Sequence, residues 1–195
     1  MFDRLKEKGF EIEFRSHAEA ILSVDFPEVA AQLETVLLNS TIPIEEIIGS
    51  GGGETKGTQR LRNALAAHDW RKHNFVVQRI IDGVEKEAQS HEIDHVKAFD
   101  AGTIALEIEW NNKDPFFDRD LNNFRLLFDL RAIDAGVIIT RCTELQKIFN
   151  KLGRGPSFGN STTHMAKLRP RLDGGSGGGC PVVVFGISEA CYVEN

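Results

Sequence analysis

The sequence predicts an α/β fold, in which a mixed β-sheet is flanked by helices. Over residues 91–140 two alternating strand patterns are followed by an amphipathic helix and then by a buried apolar strand. Helical and strand periodicities also alternate along the rest of the chain. This order of elements packs helices against strands around one apolar centre. Because 195 residues can bury one good core, we expect a single domain over residues 1–195.

The N-terminal part predicts two strands and two helices. Residues 10–14 alternate apolar and charged side chains as a strand does, and Pro27 starts the helical pattern PEVAAQLETVLL. A glycine-rich segment, IGSGGGETKGT, then interrupts the pattern. A helix is predicted over residues 58–70, where apolar side chains recur along one side. The segment FVVQRII that follows predicts a strand.

The central part predicts a hairpin, a helix and a buried strand. Strands are predicted over 91–99 and 103–110, joined by Asp-Ala-Gly at 100–102, which is favourable hairpin-turn chemistry. In the segment 116–131, Phe117, Leu121, Phe124 and Phe128 recur at helical spacing. The apolar run AGVIIT then predicts a strand buried in the sheet.

The C-terminal part predicts two helices and a last strand. The segment TELQKIFNKL is helical in pattern, residues 153–163 are irregular and polar, and a short helix ends near Leu172. The glycine run at 174–179 is typical of a flexible loop, and PVVVFGI predicts the last strand. Neither glycine cluster contains the Gly-Lys-Ser/Thr of a phosphate-binding loop.

Composition indicates a soluble protein of a reducing compartment. No apolar run is long enough for a signal peptide or a membrane span, so we expect a cytoplasmic protein with no membrane partner. Three cysteines without CxxC spacing argue against a disulfide framework and a structural zinc site. The net charge of −6 does not favour nucleic-acid binding, but residues 145–172 contain six basic and no acidic side chains. A second basic stretch runs from Lys56 to Arg79.

Acidic residues gather on one face of the predicted hairpin. In the strand 104–110 the alternation puts Glu107 and Glu109 on the face opposite to the apolar residues. With Ala101-Gly102 as a two-residue turn, Asp94 lies opposite Glu109 and on the same side as both glutamates. Three carboxylates repel one another unless a cation binds them, and oxygen ligands favour Mg²⁺. The alternative is a solvent-exposed strand face without a metal.

The predicted centre suggests phosphodiester hydrolysis. Asp94 and Glu107 are the expected metal ligands, and Glu109 is expected to orient or deprotonate the attacking water or to share a second metal. His91 and His95 flank Asp94 and offer further ligand atoms, but their spacing is more typical of surface histidines.

These residues resemble the PD-(D/E)XK nucleases, specifically the BglII, BstYI and BamHI type of restriction endonuclease. The resemblance covers Ile93–Lys97, Ile104–Asn112, the helix 116–131 and the strand 133–139. It implies a restriction-endonuclease-like fold and assigns catalysis to Asp94, Glu107 and Glu109. The chain departs from most PD-(D/E)XK enzymes at Glu109, where lysine is usual, which leaves the role of that residue open.

The resemblance also implies a homodimer that binds palindromic double-stranded DNA. The helix 116–131 is expected at the two-fold axis, because Leu126, Leu127 and Leu130 widen its apolar surface, although burial inside the monomer explains the same pattern. The catalytic core is expected over about residues 70–145 and a DNA-facing segment over about 145–195. The side chains suited to base edges are Asn111, Asn112, Lys113 and Arg154. The side chains suited to DNA phosphates are Lys56, Arg60, Lys167, Arg169 and Arg171.

Two other functions are consistent with the sequence. One is another PD-(D/E)XK nuclease, such as a repair or structure-selective enzyme with the same acids. The other is a DNA-binding module without catalysis, whose carboxylates lie on a solvated strand face.

Overall fold

A six-stranded mixed β-sheet with helices on both sides forms the centre of the protein. The computed structural model describes residues 1–49, 54–159 and 161–194, so part of the first glycine-rich segment lies outside the described residues. The strands are β1 (Glu11–Arg15), β2 (Ile42–Pro43), β3 (Arg71–Ile81), β4 (Val84–Phe99), β5 (Gly102–Ile108), β6 (Ala135–Arg141), β7 (Val182–Ile187) and β8 (Tyr192–Val193).

The sheet has the order β1-β7-β6-β5-β4-β3. The three central strands β5, β6 and β7 run parallel, and the outer neighbours β4 and β1 pair with them in antiparallel fashion. A separate two-stranded parallel sheet joins β2 to β8, and the sequence analysis did not predict it. The mixed α/β architecture expected from the sequence is therefore confirmed.

Eight α-helices are described, and the longer ones lie where the sequence predicts them. Their bounds are α1 (Asp3–Glu7), α2 (Ala18–Val24), α3 (Pro27–Leu38), α4 (Ile44–Ile48), α5 (Lys56–Ala67), α6 (Phe116–Asp129), α7 (Leu145–Lys151) and α8 (Met165–Asp173), with a 3₁₀ turn at Glu189–Cys191. Pro27 begins α3 at its first turn, and Thr55 caps α5 by accepting a hydrogen bond from the Thr58 amide at 3.1 Å. None of the helices in the described residues is long and apolar enough to cross a membrane.

Two apolar layers cover the two faces of the sheet. Ile104, Leu106 and Ile108 point from β5 into the layer built by the N-terminal helices, whereas Ala105 joins the layer of α6 and α8. The predicted alternation along this strand is thus confirmed. Helix α6 lies close to the sheet because Gly136 of β6 has no side chain: a Cβ at this position would lie 2.4 Å from Cδ2 of Phe124.

The hairpin between β4 and β5 differs from its predicted register. Phe99 pairs with Gly102, and His95 pairs with Leu106. The two-residue turn is therefore Asp100-Ala101, and the prediction of Ala101-Gly102 was wrong. If the register of β4 and β5 is continued by one residue beyond His95, Asp94 lies opposite Glu107 and not opposite Glu109. Because the shift is two residues, it leaves the predicted face of each side chain on β5 unchanged.

Strands β3 and β4 extend beyond the rest of the sheet as a two-stranded arm. Residues 84–91 of β4 pair with β3, whereas β5 pairs with residues 95–99. Four large apolar side chains of the arm are exposed: Val76, Ile80, Ile81 and Val84. The arm therefore presents an apolar surface to its surroundings.

Candidate active site

Two buried glutamates lie at the carboxyl end of β5. The side chains of Glu107 and Glu109 are each 1 % exposed and point to the α6 side of the sheet. Glu109 is fixed by its backbone amide, which donates to the Ile139 carbonyl of β6 at 2.8 Å. Since both acids are buried, a solvated strand face is the wrong interpretation of this pattern.

Asp94 lies beside a β-bulge in β4. Arg71 pairs with Val96 and His73 pairs with Ile93, so β4 contains one more residue than β3 in this stretch. Such a bulge changes the direction of the side chains next to it. Ile93 consequently packs in the α6 layer, whereas Lys97 donates to the His68 carbonyl on the opposite side of the sheet. Asp94 itself is exposed and acts electrostatically on Glu107.

The neighbouring histidines have different environments. His91 is half-buried, and its Nδ1 forms a hydrogen bond with Oδ1 of Asn123 in α6 at 3.0 Å. His95 is 4 % exposed, so its interpretation as a surface histidine was wrong. Burial lowers the pKa of His95, which favours its neutral form at physiological pH.

Helix α6 adds an acid and a base that the sequence analysis missed. Asp120 is fully buried, and Nη2 and Nε of Arg119 bind its Oδ1 at 2.7 Å and 2.8 Å. The same guanidinium lies 3.5 Å from Oε1 of Glu109. The signal was present in the sequence, because Asp120 follows Phe117 by three residues and precedes Phe124 by four. An acid in the apolar stripe of a helix requires a partner or a function.

Burial gives these acids unusual protonation behaviour. Burial, followed by the charges of Asp120 and Asp94, raises the pKa of Glu107 to about 9. Burial and Asp120 likewise raise the pKa of Glu109 to about 8, against a hydrogen bond from Asn112 that lowers it. Burial also raises the pKa of Asp120, although Arg119 opposes the shift. Perturbed acids gathered at the end of a strand are typical of an active site.

The donor set at this position fits a divalent metal ion. None of the described residues donates a hydrogen bond to the Glu107 carboxylate, and no N–H group or hydroxyl of the described residues donates to the buried Oδ2 of Asp120. The carboxyl groups of Asp120 and Glu109 lie close enough to share a proton. These oxygens are hard ligands of the kind that Mg²⁺ and Ca²⁺ prefer. The three predicted acids do not form a closed cluster, which is consistent with mutual repulsion of carboxylates without a cation.

Another group of possible ligands lies elsewhere. Among the described residues, Glu11, Cys142 and Glu144 have ligand atoms that all lie within 4.8 Å of one another. Burial raises the pKa of the Cys142 thiol well above its usual range, and Arg169 already binds Glu11. One carboxylate of this group is thus already neutralised by an arginine, whereas no described cation is paired with Glu107.

Comparison with known proteins decides the family. A family model described as Restriction endonuclease BglII/BglIII matches residues 10–187. The chain belongs to this family. A comparison with curated proteins gives no match. Membership in the BglII/BglIII family makes the protein a restriction endonuclease of type II, a hydrolase that acts on double-stranded DNA.

In this BglII/BglIII family member, a short segment connects the acids to a C-terminal loop, defined here as residues 152–163 apart from Asn160. The Asn112 side chain donates to Oε2 of Glu109 at 2.9 Å. The Asn111 side chain donates to the Ser157 carbonyl at 3.2 Å, and Lys113 forms a β-bridge with Thr162. Segment 111–113 therefore contacts both the acidic centre and the C-terminal loop.

A buried arginine binds the C-terminal loop through hydrogen bonds. Arg141, at the end of β6, is fully buried and stacks on Phe149 with its guanidinium 5.2 Å from the ring centre. Its Nη2 donates to the Phe158 carbonyl at 3.2 Å and to the Thr162 hydroxyl at 2.9 Å. The half-buried Arg154 is part of the same loop. Arg141 thus fixes the loop at the edge of the sheet where β5 also ends.

Most of the basic residues predicted to meet phosphates are paired with acids. Lys167 lies 3.6 Å from Asp114, and Arg171 binds both carboxylate oxygens of Asp118 at 2.7 Å and 2.8 Å. The other pairs are Arg169 with Glu11 and Glu13, and Arg60 with Glu46. Lys56 and Lys113 are exposed. The prediction of phosphate contacts remains a prediction, and these pairs give the arginines a structural role as well.

Proposed function

We propose that this restriction endonuclease is Mg²⁺-dependent, has the PD-(D/E)XK fold and hydrolyses a palindromic site in double-stranded DNA with Asp94, Glu107 and Glu109. The observation that carries the proposal is the burial of Glu107 and Glu109 on one face of β5, with Asp94 of the bulge acting on Glu107. Acids buried together at such a cost indicate a site that binds a cation. The match to the family over residues 10–187 supports the reaction class.

The three acids divide the chemistry between them. Asp94 and Glu107 would hold the metal, which when bound polarises the scissile phosphate and acidifies a water. Glu109 would accept the proton of the attacking water at Oε1, because Asn112 already binds its Oε2. A base whose pKa is raised to about 8 lies near the working pH, which is favourable for proton transfer. As water adds to phosphorus, one P–O bond forms and the bond to the leaving oxygen breaks.

We propose that DNA binds at the edge where β5 and β6 end. Asn111, Asn112, Lys113 and Arg154 would read base edges, because segment 111–113 and the C-terminal loop meet at this edge beside the acids. Lys56, Arg60, Lys167, Arg169 and Arg171 would contact phosphates. The catalytic core would span about residues 70–145 and the DNA-facing segment about 145–195 of one domain.

We also propose a homodimer, because a palindrome offers two equivalent half-sites to a two-fold symmetric protein. The exposed apolar side chains of the arm, together with Leu130 after α6, support an interface on this side of the molecule. Cys142, Cys180 and Cys191 are free and buried, which is consistent with a reducing compartment such as the cytoplasm.

The proposal is tested by incubating the purified protein with long duplex DNA and Mg²⁺ and sequencing the ends. We expect one discrete palindromic pattern, and no cleavage by Asp94→Asn or Glu107→Gln, both of which should still bind DNA. Glu28→Gln, which removes an exposed carboxylate on α3, away from the acids and from the arm, is the matched control and should cut normally. Normal turnover by Glu107→Gln would refute the assignment of the acids, and scattered or structure-dependent ends would favour another kind of nuclease.

A further inference from the structure

We propose that Arg119 and Asp120 form a cation-exchange pair: Asp120 is a fourth carboxylate of the acidic centre, and Arg119 is the counter-ion that it gives up when a divalent cation binds. The released guanidinium then contacts the DNA phosphate. This inference rests on the proposed function, since it concerns the same acidic centre.

Asp120 is only half satisfied by its protein partners. Its Oδ1 binds Arg119, whereas its Oδ2 is buried and accepts no hydrogen bond from an N–H group or a hydroxyl of the described residues. The carboxyl group of Asp120 lies close enough to Glu109 to share a proton with it, and a bound cation would replace that proton. A buried carboxylate oxygen without a donor is costly and is rare in folded proteins. The orphaned oxygen belongs to a side chain that acts electrostatically on both Glu107 and Glu109. Asp120 therefore offers an unused ligand atom to the same centre.

One arginine cannot balance the charge of this group. Asp94, Glu107, Glu109 and Asp120 bring up to four negative charges, and Arg119 brings one positive charge. The remaining charge has to be removed by protons or by another cation. Exchange of a guanidinium for a divalent ion raises the positive charge inside the centre and satisfies oxygens that lack donors.

The position of Arg119 allows its guanidinium to leave Asp120. Half of its side chain is exposed, and its contact with Glu109 is long at 3.5 Å. The guanidinium stacks on the ring of Phe116 at 4.6 Å, at the first turn of α6 and close in sequence to segment 111–113. A planar guanidinium binds phosphate oxygens in pairs, so a DNA phosphate at this edge would compensate for the loss of Asp120.

The exchange predicts competition between Arg119 and the metal. In the free protein Arg119 occupies Oδ1 of Asp120, so removal of its charge should tighten cation binding. In the DNA complex the same change removes a phosphate contact, so cleavage should slow. A structural Arg119–Asp120 ion pair that stays closed would also repel a cation, but its loss would not slow cleavage at saturating Mn²⁺, so the combination of the two effects distinguishes the exchange.

The test measures Mn²⁺ binding to the free protein by electron paramagnetic resonance, and cleavage separately. We expect Arg119→Gln to bind Mn²⁺ about two- to fivefold tighter than wild type, as expected from the loss of one half-exposed ion pair. We expect Asp120→Asn to bind roughly 10- to 100-fold more weakly. At saturating Mn²⁺, Arg119→Gln should cut DNA on the order of 100-fold more slowly. Arg119→Lys should restore part of the cleavage.

Arg125→Gln is the matched control, because Arg125 is an exposed arginine on the same helix, and it should bind Mn²⁺ like wild type. The inference is overturned if Arg119→Gln binds Mn²⁺ no tighter than wild type while wild type binds Mn²⁺ and cuts DNA. If wild type neither binds Mn²⁺ nor cuts DNA, the proposed function fails together with this inference. Should Asp120→Asn not fold, Arg119→Gln alone decides, because its side chain is half exposed.

Discussion

The amide of Asn112 donates a hydrogen bond to the carboxylate of Glu109, with 2.9 Å between Nδ2 and Oε2. The bond connects the segment that borders the C-terminal loop with an acid of the candidate active site. It also lowers the pKa of Glu109 against the larger effects of burial and of Asp120. Asn112 therefore acts on Glu109 whether or not it also contacts DNA.

We predict that Asn112→Ala retains the fold but shifts the pH profile of cleavage. Loss of the hydrogen bond should raise the pKa of Glu109, so the pH at which cleavage is half-maximal should move upward. A turnover series from pH 6 to pH 10 measures it, with Asn122→Ala, an exposed asparagine of α6, as the control. An unchanged profile with weaker DNA binding would assign Asn112 to base reading alone.

The acids predict that the metal-free protein becomes less stable as pH rises. The pKa values of Glu107 and Glu109 are raised from 4.5 to about 9 and about 8, so between these values the folded state binds more protons than the unfolded state. The contribution is fully present below about pH 4.5 and is lost as pH rises through about 8 to 9.

Thermal melts in EDTA at a series of pH values measure this dependence. We expect the melting temperature of wild type to fall between pH 6 and pH 9 more steeply than that of Glu107→Gln, which stays neutral throughout. Addition of Mg²⁺ at pH 8.5 should restore most of the loss in wild type. Parallel curves for the two proteins would show that Glu107 does not titrate in this range.

Arg141 predicts an effect on the C-terminal loop. Replacement by Met keeps an apolar stem against Phe149 but removes the hydrogen bonds to Phe158 and Thr162. We expect Arg141→Met to fold, and its amides in residues 152–159 and 161–163 to exchange hydrogen faster, while those of α3 do not. Equal protection of the loop in both proteins would mean that other contacts hold it.

Helix α6 predicts opposite outcomes for two leucines. Leu127 is fully buried in the apolar layer of the monomer, so Leu127→Asp should lower the free energy of unfolding by about 3 kcal/mol or more. The expectation that Leu127 belongs to a dimer surface was wrong for this reason. Leu130 is 51 % exposed, so Leu130→Asp should fold normally and weaken a dimer. Sedimentation of the two variants and of wild type measures this, and a monomeric wild type on DNA would contradict the proposed interface.

Lys56 and Arg169 predict different salt dependences of DNA binding. Lys56 is exposed and is proposed to contact a phosphate, so its loss should lower the slope of log affinity against log salt by about one unit. Arg169 binds Glu11 and Glu13, so Arg169→Ala leaves Glu11 without this cation and Glu13 with Arg15 alone, and it should reduce thermal stability as well. Titrations of both variants at several salt concentrations distinguish them. A larger change of slope for Arg169 would indicate that it exchanges its acids for phosphate.

Much of the sheet follows from local patterns. The apolar strand β6, the helix α6 and the alternation along β5 each have a period that one segment contains by itself. The hairpin register does not, because Asp100-Ala101 and Ala101-Gly102 are both acceptable turns and pairing across the strands chooses between them. The bulge beside Asp94 likewise depends on pairing with the preceding strand β3, in which His73 pairs with Ile93, and the pattern of β4 alone does not contain it.

The glutamates of the candidate site were predicted from the alternation of one strand, whereas the sequence marks Asp120 only as an acid in the apolar stripe of a helix. Glu107 and Glu109 are two residues apart, so one strand brings them to the same face, but the alternation alone did not decide whether that face is buried or exposed to solvent. Arg119 and Asp120 reach the same place from another element, and their arrival depends on how closely α6 lies on the sheet. The sequence pattern does not contain the distance between α6 and the sheet, and the contact of these two residues with the glutamates was therefore not predicted.

The distance between α6 and the sheet depends on Gly136, which has only a hydrogen atom as its side chain. Because Phe124 occupies the space where a side chain of Gly136 would stand, even a methyl group there would force α6 away from β6. Asp120 is one helical turn from Phe124 and would move outward with it, while β5 and its glutamates would stay in place. A mutational scan would therefore score position 136 as intolerant, although Gly136 is buried in the sheet and belongs to no proposed site. Position 136 is constrained because a side chain there would push α6 away from the sheet, and this would increase the distance between Asp120 on α6 and the two glutamates on β5.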